Sequence, residues 1–261
     1  MKKVVGYRKG GTNMPWYKQT AVWGLVISVL ALSLSQLPPI ANWRARTDVG
    51  IELGKRVGLP NTIGMPGYQL FIELRNKGNR TIELSKLRLK LKYPNNTSKL
   101  LYAQTYQKII PGQFSPLDFP VTTINLAPGT NWTEQVSFHP ELSPEDDEHL
   151  AEIRLQMSAS IQQQAMKNPQ TGPVEAAADI VDRANKFFDR NFDLQKGQYR
   201  VSLLADVNGE ERTLRDFSFT LYDYHKNTII SQKKDFRFGW GITFPVLFQK
   251  QVWAQISNVE Q

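Results

Sequence analysis

The sequence predicts a mainly β protein in which a single N-terminal transmembrane helix precedes a β-sandwich carrying a helical insertion. Three observations predict it. A long uncharged stretch lies between Lys18 and Arg44. Period-two alternation of apolar and polar residues recurs through the body. Turn-forming Gly, Pro and Asn residues separate the alternating runs.

The uncharged stretch comes first. Twenty-five consecutive residues carry no Asp, Glu, Lys or Arg, and AVWGLVISVLALSLSQL, residues 21–37, forms their apolar part. That length suits the hydrocarbon core of a bilayer. Pro38-Pro39 would end a helix there, and Trp16, Tyr17 and Trp43 flank it where amphipathic rings favour the headgroup region. These signals predict a cytoplasmic tail over 1–19, a transmembrane helix over 20–38, and a linker with the first strand over 39–66. A cleaved signal peptide is the main alternative, weakened by the long tail and by Pro39 at position −3 of a cut after Ala41. Lys2, Lys3, Arg8, Lys9 and Lys18 ahead of the segment favour a cytoplasmic amino terminus. The expected location is therefore the inner (plasma) membrane, with a single-pass signal anchor and a periplasmic or extracellular body. Ala21, Gly24, Ser28, Ala31 and Ser35 fall on one helical stripe of small residues, a candidate surface for self-association.

The body reads as strands. Leu87, Leu89, Leu91 and Tyr93 alternate with Arg88, Lys90 and Lys92, giving a half-buried strand with a basic outer face. YQLFIELRNKGNRTIEL predicts a strand, a glycine turn at 76–79 and a second strand. INLAPGT runs a strand into a Pro-Gly turn, and Trp132 to Phe138 follows as the next strand. Ile153, Leu155, Met157, Ala159 and Ile161 alternate with polar neighbours and read as another strand. Tyr199–Val207, Asn208-Gly209 and Thr213–Tyr224 carry the strongest hairpin signal in the chain.

Two helices interrupt this pattern. Ser143, Pro144 and the carboxylates that follow suit a helix start of one or two turns over 143–150. Val174, Ala177, Val181, Ala184 and Phe188 recur at helical spacing and predict an amphipathic insertion over 173–190. The segments NKGNRTI, VNGEERTL and INLAPGTNWTEQVSF resemble the strand-turn idiom of bacterial immunoglobulin-like domains. That resemblance extends over residues 47–235 at the level of fold class and implies an immunoglobulin-like sandwich, placed here over 67–235. The aromatic-rich segment 236–261 follows. In it Phe236, Phe238, Trp240, Ile242 and Phe244 alternate, predicting a closing strand or an exposed interaction face.

Charge narrows the functional classes. The chain is formally +8, but residues 1–46 hold seven Lys/Arg and no acid. The remainder is nearly neutral, so no nucleic-acid partner is expected. Within it, residues 75–108 carry nine Lys/Arg against Glu83 alone. There is no cysteine, which excludes a disulfide scaffold, a thiolate metal site and a cysteine nucleophile. No nucleophile elbow, phosphate-cradling glycine loop or zinc spacing occurs. The histidines are His139, His149 and His225; the first two bracket five carboxylates, whose consecutive spacing spreads them around a helix rather than toward one ion. No catalytic residue, metal site or cofactor is expected. The reading is a non-enzymatic interaction or structural module of a bacterial cell envelope, with the membrane and a protein as partners. An alternative is an envelope-glycan or polymer-binding domain, with Trp132, Trp240, Trp253, Tyr222 and Tyr224 as stacking faces. An enzyme with a site dispersed along the chain is the third reading.

Overall fold

The computed structural model describes residues 20–36, 47–108, 110, 116–167, 172–243 and 252–258. Contacts divide the chain into two units, 1–46 and 47–261.

The first unit contributes helix α1, Thr20–Gln36. At ~1.5 Å per residue it is roughly 26 Å long, short of a hydrocarbon core of about 30 Å. No helix among the described residues is long and apolar enough to cross a membrane. This corrects the transmembrane helix expected over 20–38, and with it the single-pass signal anchor. The uncharged sequence runs from residue 19 to residue 43, and its residues 19 and 37–43 lie outside the described residues.

The second unit is built on a closed antiparallel barrel of eight strands, not the expected immunoglobulin-like sandwich. Twelve strands are described: β1 Val49–Leu59, β2 Asn61–Thr62, β3 Met65–Pro66, β4 Tyr68–Asn76, β5 Ile82–Lys92, β6 Ser98–Lys108, β7 Leu117–Pro120, β8 Ile124–Leu126, β9 Asn131–His139, β10 Gly197–Val207, β11 Glu210–Leu221 and β12 Val252–Asn258. The barrel runs β6-β9-β4-β1-β12-β11-β10-β5 and closes by pairing β5 with β6, from Arg88 opposite Tyr102 to Lys92 opposite Ser98. β7 and β8 extend β6 and β5. A sandwich and a barrel share one local pattern, because inward and outward residues alternate along every strand of either. Only the closing β5–β6 ladder separates them.

The interior is packed with side chains. Tyr68, Leu70, Ile72 and Leu74 of β4 are buried, as are Leu87, Leu89 and Leu91 of β5. Phe219 stacks on Tyr199 with centroids 5.0 Å apart, and Tyr199 meets Tyr93 at 5.2 Å. The stack's polar tips are engaged. The Tyr93 hydroxyl donates to Asp193 at 3.1 Å, and the Tyr199 hydroxyl donates to the Gln195 carbonyl at 2.9 Å. Burial raises the Tyr199 pKa to about 12.

Asn208 and Gly209 both take positive φ, 52° and 85°, so the β10–β11 connection is the tight turn their sequence asks for. The NKGN turn behaves differently. It does not join a hairpin, because β4 pairs with β1 and β9, whereas β5 pairs with β10, β6 and β8. The Asn76 amide instead ties the crossing chain down, donating to the Arg80 and Leu126 carbonyls.

Helices follow β9. α2 is one continuous helix, Pro144–Lys167, where a short helix and a strand were expected. Ser143 caps it, its Oγ accepting from the Asp146 N–H at 3.1 Å. Leu150, Ile153 and Met157 form its buried stripe, and Leu155 is exposed. α3, Ala178–Asn191, is the expected amphipathic insertion and buries Ile180, Ala184, Phe187 and Phe188. Arg183 reaches Glu152 at 3.2 Å and Arg190 pairs with Asp146, joining the two helices. The β2–β3 turn presses on α3 at Gly64, where a Cβ would lie 2.4 Å from the Phe188 carbonyl oxygen. α4, Asp223–Ile230, runs into a 3-10 helix over Ser231–Phe238. The closing aromatic strand expected here is thus helical over its first residues, ended by Gly239 at φ 73°. Phe244 lies outside the described residues.

Candidate functional site

A concavity lies beside α2. It is a cleft of about 740 Å³ whose lining includes Thr62, Met65, Gln104, His139, Leu142 and Leu150. Glu141, Asp147 and Arg154 also face it. The end of β9 carries His139 into the cleft, and the capped start of α2 sets Asp147 and Leu150 beside it. Gly67 makes room for the imidazole: a Cβ there would stand 2.5 Å from His139 Cε1. Burial pushes the His139 pKa down, and the nearby Asp118 carboxylate opposes that only in part. The ring is therefore neutral near pH 7.

This cleft joins a histidine to two carboxylates, the concavity a dispersed enzyme site would need. Its chemistry is less organised than its lining. No hydrogen bond links His139 to Glu141 or Asp147 among the described residues. A general base needs a partner that fixes its tautomer and orientation. No group of three or more metal-ligating side chains occurs among the described residues. The arrangement can bind: an apolar floor of Met65, Leu142 and Leu150 sits under a rim of mixed charge.

A second feature surrounds α4. His225 is buried, and its Nδ1 accepts from the Tyr222 N–H at 3.1 Å. Burial lowers its pKa, an effect the Trp253 backbone opposes in part. Tyr222 and Tyr224 are exposed, with ring planes 10° apart and centroids 6.0 Å apart. Trp253 is partly exposed, whereas Trp132 packs edge-on against Tyr106 at 5.7 Å. Trp240 is half-buried against Phe238.

The remaining candidates divide. On α1, Gly24, Ser28, Ala31 and Ser35 are exposed; Ser28 and Ser35 donate to the Gly24 and Leu32 carbonyls of their own helix. In the aromatic segment Phe236 and Ile242 are buried and Phe238 is half-buried. On β5, Arg88 pairs with Asp206 and with Glu211 at 2.9 Å, while Lys90 and Lys92 stay exposed. Sequence reasoning missed Thr62, Met65 and Gln104 at the cleft and Arg200 beside Lys92, because each arrives from a distant strand. Comparison of the chain with protein-family models and with curated proteins finds no match.

Proposed function

We propose that the barrel is a non-enzymatic interaction module that receives a segment of a protein partner in the cleft between β9 and α2. The observation that carries this is the pairing of an apolar floor with a neutral His139, which makes no hydrogen bond to Glu141 or Asp147 among the described residues, under a charged rim. Such a surface offers burial and hydrogen bonding without the oriented dyad that catalysis needs. A cell-envelope setting belongs to the same proposal. Its support is the basic character of residues 1–18 and the exposed apolar side chains of α1.

A photo-crosslinking residue at Glu141, compared with one at Arg212 on the β10–β11 hairpin, tests the reading in the producing cell. An adduct of defined mass from Glu141 alone, lost on Leu142→Asp, is the expected result. Equal labelling from both positions, or none from Glu141, ends it. The exposed Tyr222–Tyr224 pair supports a second reading, an envelope-glycan face, since stacked aromatic rings offer flat apolar surface with polar tips. Polymer pull-down that Tyr224→Ala abolishes and Leu142→Asp spares would favour it over the cleft.

A further inference from the structure

The outer face of the β5–β10 pair carries an arrangement that the proposed function does not use. Lys92 lies directly opposite Arg200 in the antiparallel ladder. Like charges directly opposite one another destabilise a sheet. The same cross-strand row continues to Ser98 on β6 and Ser218 on β11. It therefore contains two cations, two hydroxyl residues and no acid. The neighbouring row is Leu100, Lys90, Ser202 and Asp216. Asp216 is its one carboxylate, and it accepts from the Ser202 hydroxyl at 2.6 Å. Neither Lys92, Arg200 nor Lys90 makes an ion pair among the described residues.

The two cations also share a concavity. Lys92, Tyr93, Pro94, Asn96, Gln198 and Arg200 line a cleft of about 280 Å³. Its wall is a fixed turn. The Tyr93 N–H donates to the Thr97 carbonyl at 2.8 Å, and the Asn96 N–H donates to the Tyr93 carbonyl at 2.9 Å. Asn96 takes φ 66°, a conformation that asparagine tolerates better than most residues. Pro94 rests on Gly197, where a Cβ would lie 2.9 Å from the proline ring. Asp193, at the same end of these strands, is already engaged by Lys99 at 2.9 Å and by the Tyr93 hydroxyl.

We propose that this cleft binds a phosphate-type oxyanion, with Lys92 and Arg200 as the charged ligands and Asn96 and Gln198 as neutral donors. A guanidinium and an ammonium facing each other in a row without an acid present donors that a tetrahedral anion satisfies. The bound anion also removes the like-charge repulsion, so binding and stability rise together. The chemistry fits a free phosphate ester and a phospholipid headgroup alike.

The test uses the full chain at low ionic strength, where such contacts are least screened. Inorganic phosphate and pyrophosphate are titrated by calorimetry, and vesicles of phosphatidylcholine with and without phosphatidylglycerol are used in co-sedimentation. Binding of pyrophosphate that weakens roughly tenfold or more in Lys92→Gln and again in Arg200→Gln supports the site and points to a free ligand. Binding only to phosphatidylglycerol vesicles, lost in the same variants, supports it with a headgroup as the source. Arg200→Lys keeps the charge and retains part of the affinity, which separates ligand loss from misfolding. The proposal is overturned if the parent binds none of the probes. It is equally overturned if both glutamine variants bind like the parent, or if Lys86→Gln, outside the cleft, weakens binding as much.

Discussion

Residues 87–93 and 153–161 present almost the same sequence pattern, yet one becomes β5 and the other becomes part of α2. In both, apolar residues alternate with polar ones. In β5 the alternation is the structure: Leu87, Leu89 and Leu91 are buried, and Lys90 and Lys92 face water. In α2 it is incidental. Leu150, Ile153 and Met157 are buried at spacings of three and four, while Leu155, at an apolar position of the alternation, is among the most exposed hydrophobic residues described. The difference teaches what outranks a period of two. The α2 segment is rich in Leu, Met, Gln, Glu and Ala, which favour helix, whereas β5 lies between two partner strands that complete its hydrogen bonds. Upstream, Ser143 and Pro144 start a helix that nothing stops before Lys167.

The sharpest way to break this comparison uses two neighbouring positions. In a strand, Leu155 and Met157 share a face, and truncating either costs the same. In α2, Met157→Ala is expected to lose about 2–5 kcal/mol and Leu155→Ala to stay within about 0.5 kcal/mol. Urea denaturation of the two variants decides between the arrangements. Equal losses would return this segment to a strand.

The helix start gives the next contrast. Ser143→Ala removes the hydroxyl that accepts from the Asp146 N–H, and a loss of about 0.5–2 kcal/mol is expected, with Ser143→Asp close to the parent. If 143–150 were a detached turn before a strand, the cap would stabilise less chain, and the alanine variant would unfold at the parent's midpoint.

Much of the barrel was legible because its signals are local. Asn208-Gly209 with alternation on both sides could only be a tight hairpin, and the α3 stripe ending in Phe187-Phe188 could only face a core. The closure was not legible. Arg88 opposite Tyr102 and Tyr102 opposite His139 are pairings that alternation permits but does not select. The NKGN turn misled for a related reason. Its residues suit a hairpin, but the Asn76 amide donates to the Arg80 carbonyl of the β4–β5 connection and to the Leu126 carbonyl of β8. The large cleft was half visible. His139 and the 141–148 carboxylates stood together in sequence, whereas Thr62, Met65 and Gln104 reach it only through the fold.

Acid separates the two regions by charge. The outer face of β5 carries Arg88, Lys90 and Lys92, while the cleft beside α2 holds His139. The folded-state pKa of His139 is lowered by burial, so the unfolded chain takes up its proton first. The stability it contributes is complete above the ordinary value near 6.5 and is lost as pH falls through that value toward the lower folded one. His225 has the same sign. Unfolding midpoints are therefore expected to fall between pH 7 and 5, and the fall should be shallower in His139→Gln. A profile unchanged by that substitution would mean that the ring gains its proton as easily in the cleft as in the unfolded chain.

The smallest expected effect lies on β5 itself and has the opposite sign. Arg88 is balanced by Asp206 and Glu211, but two pairs along the same strand Lys92 faces Arg200 with no acid in its row. Replacing Lys92 by Ser removes a like-charge pair and leaves a residue suited to an exposed strand position. A gain of about 0.2–1 kcal/mol is expected in low salt, shrinking as added salt screens the repulsion. Lys86→Ser supplies the contrast, since it breaks a 3.1 Å pair with Asp206 and gains nothing. Both substitutions lower the net charge equally, so a general charge effect would stabilise both alike. A gain confined to Lys92 fixes the β5–β10 register from solution data, because only that register sets Lys92 directly against Arg200.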